Sequence, residues 1–332
     1  MKNAKIYIKR RICAVICVCL CILLCGCAAK EPEGAKTDAE SRQIVVGFSQ
    51  VGAESDWRNA NTISMTEALS EENGYRLIID DAQNKQERQI TAIRNFIQMG
   101  VDYIVLAPTN EIGWDTVLTE AKNAGIPVII VDRMIEVADE SLYACWVGSD
   151  FHKEGRTAIC YLSEIKTEEL KIVHLQGNLG SSAQIGRTTA LDEALTAHSD
   201  WHLIHREAGD FTQAKGQEIV EDLLSRGIDF NVIYSENDNM AFGAIDALRT
   251  HGLQPGKDVI IISFDAGHRA LERTLSGEIS FDMECNPLHG PRVSAIIQSI
   301  ENGVQPPKLT FVNEESFSTD TLTEEILAGR PY

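Results

Sequence analysis

Residues 75–107 read YRLIIDDAQNKQERQITAIRNFIQMGVDYIVLA, and this stretch decides the fold. Tyr75 to Asp81 is a short β-branched run, Lys85 to Met99 carries apolar residues at helical spacing, Gly100 stands where a helix C-cap glycine belongs, and Asp102 to Ala107 is a second apolar run. Strand, helix, glycine, strand is the signature of a βαβ unit in a parallel sheet. The same rhythm extends outward. Strands are expected at Ile44–Ser49, Ile126–Asp132 and Tyr143–Gly148, with helices at Arg58–Asn73, closed by Gly74, and at Gly113–Ala124, closed by Gly125. It restarts with strands at Lys171–Gln176, His202–Glu207, Phe230–Ser235, Val259–Phe264 and Ile279–Met283, and helices at Ala183–Ala197, Phe211–Arg226, Met240–His251 and Arg269–Leu275. Two α/β units of similar build are therefore expected, each a Rossmann-like, doubly wound parallel sheet.

Upstream of Ile44 the chain has a different character. Lys2, Lys5, Lys9, Arg10 and Arg11 precede an uncharged apolar run, Ile12 to Leu24, which is short for a bilayer span. The run ends in Leu24-Cys25-Gly26-Cys27, which resembles the lipobox of bacterial lipoproteins. Residues 1–26 are thus expected to be an export signal, Cys27 the lipidated residue, and 27–43, polar and without periodicity, a tether. The protein would work outside the cytoplasm, anchored on the outer face of the cell membrane by lipid alone.

The 332 residues carry 44% apolar types and a net charge of −19, which becomes −24 once the five basic residues of the signal are set aside. A surface so acidic repels phosphate backbones and excludes nucleic-acid binding as a function class. Six of the nine cysteines lie at or before Cys27; Cys145, Cys160 and Cys285 are scattered, which argues for thiols rather than a disulfide framework. No G-x-S-x-G, H-E-x-x-H, Walker A or G-x-G-x-x-G motif follows the strands. The loop Gln176 to Ser182 is expected to be a strand-to-helix turn capped by Ser. His198, His202 and His205 run from loop into strand, which splays them and argues against a metal site. No cofactor, metal or catalytic group is expected.

In open α/β sheets ligands bind beyond the carboxyl ends of the strands, and there the chain places Glu54, Trp57, Arg58, Asn110, Asp132, Arg133, Arg187, Phe211, Asn237, Asp265 and Asn286. Carboxylates, amides and guanidinium groups bond hydroxyls directionally, and aromatic faces cover the apolar face of a sugar ring. That mixture suggests a carbohydrate.

The ordered series Val46-Gly47-Phe48-Ser49-Gln50-Val51-Gly52 through Trp57-Arg58, Ala107-Pro108, Asp132-Arg133, Asn237-Asp238-Asn239-Met240-Ala241, Phe264-Asp265 and Asn286-Pro287 resembles the sugar-binding proteins of bacterial ABC importers. Within them it is most similar to the galactofuranose-binding branch. The resemblance implies a type I periplasmic binding protein whose chain crosses repeatedly between two lobes, 44–147 plus 287–309 and 148–286 plus 310–332. It further implies a monomer that binds one monosaccharide and delivers it to a permease with a cytoplasmic ATPase. By similarity to the ribose-type pocket, Trp57 and Phe211 sandwich the ring, and Asp132, Arg133, Arg187, Asn237, Asp265 and Asn286 bond its hydroxyls; Arg58, Glu54 and Asn110 are second choices. Where ribose-type proteins place two aromatics, this chain has Ser55-Asp56-Trp57-Arg58, which favours a furanose. The alternatives are a receptor of the same fold serving a sensor kinase or chemoreceptor, and an exported hydrolase using Asp132 and Asp265.

Overall fold

The computed structural model describes residues 42–165 and 169–332. The expected export signal, Cys27 and the tether as far as residue 41 lie outside them. Strands β1 (Ile44–Gln50), β2 (Tyr75–Asp81), β3 (Tyr103–Leu106), β4 (Val128–Val131) and β5 (Cys145–Gly148) alternate with helices α1 (Asp56–Ala68), α2 (Gln86–Met99) and α3 (Asp115–Asn123). Then come α4 (Phe151–Glu164), β6 (Leu170–Gln176), α5 (Ser182–Ala197), β7 (Trp201–Ala208), α6 (Gln213–Ser225), β8 (Val232–Ser235), α7 (Asp238–Thr250), β9 (Ile260–Asp265), α8 (His268–Leu275) and β10 (Phe281–Glu284). The chain finishes with α9 (His289–Glu301), β11 (Leu309–Phe311), β12 (Ser316–Ser318) and α10 (Glu324–Gly329).

The strands form two six-stranded sheets, β11-β5-β4-β3-β1-β2 and β12-β10-β9-β8-β6-β7. Every pairing is parallel except β12 on β10. Central strands covered on both faces must be apolar throughout; β3 (YIVL), β4 (VIIV), β5 (CWVG) and β8 (VIYS) are buried along their whole length. Tyr75, Tyr103 and Trp114 pack in the core. In each sheet the strand order reverses once, between β1 and β3 and between β6 and β8. These switch points open a crevice at the carboxyl ends of the strands.

The chain passes between the sheets three times, after β5, after β10 and after β11. β11 carries Thr310 and Phe311 into the first sheet, beside Val147 and Gly148, so the last crossing follows residue 311 rather than 309. Helices α4, α9 and α10 and strands β11 and β12 have no counterpart in the sequence reading. The helix expected from Arg58 to Asn73 stops at Ala68, with a separate 3-10 turn before Gly74, whose φ of 85° is the expected left-handed cap. Phe211 does not open a helix. It lies at φ 61°, and α6 starts after Thr212, whose side chain accepts from Lys215 N. Cys145 and Cys285 are buried thiols and Cys160 an exposed one. His202 pairs with Glu169 and His205 with Glu207, while His198 stacks on Trp201.

Candidate ligand-binding cleft

The loop from β1 to α1 brings four groups to the crevice. Ser55 caps α1 by accepting from Arg58 N at 3.2 Å, which sets Trp57 and Arg58 in the first helical turn. Trp57 Nε1 donates to the Cys285 carbonyl at 2.6 Å, so the second crossing fixes the indole. Arg58 Nη2 stands 2.8 Å from Asp132 Oδ2, and its Nε 3.2 Å from Glu54 Oε1. Arg133 Nη2 reaches the same Glu54 oxygen at 3.6 Å and its Nη1 donates to the Thr109 carbonyl at 3.2 Å. Burial and the neighbouring Arg58 charge lower the Arg133 pKa to about 10. Burial also works against Arg58, yet Asp132 and Glu54 outweigh it and raise its pKa.

The second lobe supplies the opposite wall. Arg187 is buried on α5, with Nε and Nη2 each 2.8 Å from Glu154 Oε2 and Nη2 3.7 Å from Asp265 Oδ1. Burial penalises this guanidinium, but Glu154 more than offsets it and holds the pKa above the ordinary arginine value. Asp192 and Glu193, further along the same helix, meet Arg206 and His152. Burial drives Asp265 well above the carboxylate range despite Arg187 beside it. Asn237 is the N-cap of α7, accepting from Met240 N at 3.0 Å and donating to the Phe211 carbonyl at 3.1 Å. One of its bonds thus caps the helix and another seats Phe211. A side chain on Gly177 would lie 1.9 Å from Phe211 Cζ, so the glycine is what lets this ring enter the crevice.

Glu54, Ser55, Trp57, Arg58, Asp132, Arg133, Phe151, Ala183, Arg187, Phe211, Asn237, Asp265 and Cys285 line one cavity. Eight of the ten residues singled out in the sequence as ligand contacts are among them. Asn110 and Asn286 are not. Asn110 donates to Gln86 Oε1 at 3.1 Å, and its carbonyl accepts from Trp114 Nε1. Asn286 sits in the second crossing, donating to Glu284 Oε1 and accepting from Leu288 N and Arg292 Nη1. The Asn286 amide closes a turn; the Asn110 amide ties its loop to Gln86 on α2, with Oδ1 buried and unpartnered, and it is the main-chain carbonyl of Asn110 that meets Trp114. Ser55, Phe151, Ala183 and Cys285 are lining residues that the sequence reading missed.

Three features give the cavity its chemistry. Its charged lining is three arginines, with Arg58 and Arg133 answered by Glu54 and Asp132 and Arg187 by Glu154 behind it, while burial holds Asp265 towards its neutral form; this balance suits a neutral ligand rich in hydrogen-bonding groups. Glu54 Oε2 is buried without a donor, and such an atom favours a ligand that brings one. Asp132, Phe211 and Asp265 hold φ of 63°, 61° and 113°, a region costly for non-glycine residues and one that marks functional sites. The Asp132 carbonyl is held in place by Trp146 Nε1 at 3.1 Å. Contacts across the cleft show the two lobes closed on it: Asp56 N donates to Asn239 Oδ1 at 3.0 Å, Asn178 Nδ2 to Asn84 Oδ1 at 2.8 Å and Met134 N to Ser182 Oγ at 2.8 Å.

Among the described residues one group of metal-ligating atoms lies together, on Glu154, Cys285 and Glu314, all within 4.8 Å of one another. Arg187 already occupies Glu154 Oε2, and Ser149 Oγ and Asn286 N occupy Glu314 Oε1. With a cation already on Glu154, a proton fits this group better than a metal.

Two parallel-sheet lobes, three crossings and a closed, charge-balanced cleft define a bilobal solute-binding protein. The chain belongs to the periplasmic binding protein family, whose domain matches residues 46–287. It is 38% identical to the galactofuranose-binding protein YtfQ of Escherichia coli, over 85% of this chain and 90% of that one. A Mycobacterium smegmatis protein solved in complex with β-D-fucofuranose superposes with a TM-score of 0.79 at 38% identity, covering 83% of this chain and 92% of the other. The binding component of the arabinose ABC transporter of Shewanella sp. ANA-3, solved with α- and β-L-arabinofuranose, gives 0.82 at 36% identity, covering 86% and 95%.

Proposed function

We propose that this protein is the extracytoplasmic receptor of a sugar ABC importer and that its cargo is a neutral furanose, galactofuranose or a close relative. The carrying observation is the cleft itself, in which three arginines, the carboxylates of Glu54 and Asp132 and the carboxyl of Asp265 gather from both lobes around two aromatic faces. A sugar hydroxyl both donates and accepts, so it can answer a guanidinium on one side and a carboxylate on the other. In this reading Trp57 and Phe211 cover the ring, and Arg58, Asp132, Arg133, Arg187 and Asp265 bond hydroxyls, with Glu54 Oε2 as a further acceptor and Asn237 contributing its remaining donor hydrogen. The similarity to proteins solved with fucofuranose and arabinofuranose supports a five-membered ring.

Ligand bonds both lobes only when they approach, so binding favours closure and no covalent step is needed. The closed form is then what a permease receives. Lipidation at Cys27, action as a monomer and residence on the outer face of the cell membrane complete the proposal.

Calorimetric titration of residues 30–332 against furanose-forming and pyranose sugars and common amino acids tests it. A micromolar or tighter signal for a furanose, about −8 kcal/mol or better, is expected. Silence across the sugars, or release of product from a furanoside, overturns it, the latter in favour of the hydrolase that would use Asp132 and Asp265.

A further inference from the structure

The three crossings meet at one carboxyl group. Glu314, in the third crossing, accepts at Oε1 from Ser149 Oγ at 2.6 Å and from Asn286 N at 2.8 Å, and these belong to the first and second crossings. One of its carboxyl oxygens also lies within 4.8 Å of a carboxyl oxygen of Glu154 on α4. Glu154 Oε1 is buried without a hydrogen-bond partner, while Nε and Nη2 of Arg187 both stand 2.8 Å from Glu154 Oε2. Two buried carboxyl groups this close share a proton or repel. Glu154 faces a guanidinium and Glu314 faces none at that range, so the proton belongs on Glu314.

We propose that Glu314 is a positioning residue for the cleft: as a neutral carboxyl it clasps the three crossings and donates its proton to Glu154, which holds Arg187 at the ligand. The inference rests on reading the cleft as a sugar site. The ionisable groups around Glu314 are Glu154 from α4, Cys285 from the second crossing, Glu284 from β10 and Arg292 from α9. Burial first, and the Glu154 charge second, push Glu314 up to about 9. The sign follows from linkage. A carboxyl whose pKa is raised in the closed state costs that state more as pH climbs above the ordinary carboxylate value, and the cost levels off once pH passes about 9.

The test compares wild type with Glu314→Gln, Glu314→Ala and Glu154→Gln. Glutamine keeps an acceptor for Ser149 and Asn286 and a donor for Glu154. E314Q should therefore bind sugar at least as tightly as wild type at neutral pH, and its advantage should grow at least about tenfold towards pH 9. E314A and E154Q should each weaken binding at least about tenfold, the first by opening the clasp and the second by leaving Arg187 without its counter-charge. Parallel pH profiles for wild type and E314Q would overturn the proposal. A ligand-free arm keeps it separate from the sugar reading: the infrared band of a neutral carboxyl at neutral pH should lose intensity in E314Q. If no sugar binds the wild type, the functional reading fails and the infrared arm still decides; an unchanged band overturns the role of Glu314.

Discussion

On the first lobe's wall of the cleft, Glu54, Arg58, Asp132 and Arg133 neutralise one another directly, at contacts from 2.8 to 3.9 Å. On the second lobe's wall the charges are answered from behind. Arg187 is held by Glu154 beneath it, and Asp265 is backed by Asp238 and Asp282, two buried carboxyls raised by desolvation and by each other or by Asp265. Asp238 accepts from Ser263 Oγ at 2.6 Å and Gly267 N at 3.0 Å, and Asp282 from Ala266 N at 3.2 Å. The first wall is an ion-pair lattice whose members sit in strand-end loops and, for Arg58, in the first turn of α1. The second is a layered support whose outer groups depend on protonation behind them. Similar polar surfaces can therefore respond differently to mutation and to pH.

The largest expected effect tests the layered wall. Arg187→Ala strands Glu154 in the interior, so it should destabilise the second lobe by about 3–5 kcal/mol and abolish sugar binding. Thermal unfolding and calorimetry read the two losses; a variant as stable as wild type would mean that Glu154 is not relying on Arg187. Next, Asp132→Ala leaves Arg58 and Arg133 facing each other and should weaken binding by more than about tenfold with a smaller loss of stability. Equal damage to stability from both variants would erase the distinction between the walls. Gly177→Ala pushes a methyl group into the Phe211 ring and should cost about 1–3 kcal/mol by overpacking, with weaker binding because the ring is displaced. Retained affinity would show that Phe211 does not cover the ligand.

The pH prediction separates the walls most cleanly. Asp238 and Asp282 are raised in the folded protein and ordinary when unfolded, so they favour folding least at high pH. Stability should fall as pH rises above the ordinary carboxylate value, by up to about 1.4 kcal/mol per pH unit for each such group. Asp282→Asn should flatten that slope in a melting series, and an unchanged slope would place the effect elsewhere. The smallest effect is expected from Asn110→Ala, which removes one side-chain hydrogen bond to Gln86 and keeps the main-chain bond to Trp114, and should leave sugar affinity within about twofold.

The first wall was legible in the sequence because its chemistry is local to strand ends. Trp57-Arg58 follows β1 and Asp132-Arg133 follows β4, so placing the strands places the side chains. The layered wall depends on pairs far apart in the chain, such as Glu154 with Arg187 and Glu236 with His174, which no local pattern reveals. Helix α4 itself went unread, since FHKEGRTAICYLSE opens with polar residues and a glycine. Helix α9 begins His289-Gly290-Pro291, which reads as a loop although proline is tolerated in a first helical turn. Asn286 lies outside the cavity lining for the opposite reason. It stands beside a strand end like a ligand contact, but its side chain closes a turn onto Leu288 N.

The interleaved sheets also constrain biosynthesis. Neither lobe is continuous in the chain: the first is finished by α9 and β11, and the second by β12. A nascent chain that has emerged only as far as α8 therefore contains no complete lobe. Both sheets close from their last-made strands, over long sequence separations that slow folding. For a chain that reads as exported, late closure extends the interval in which it can still be threaded through a membrane.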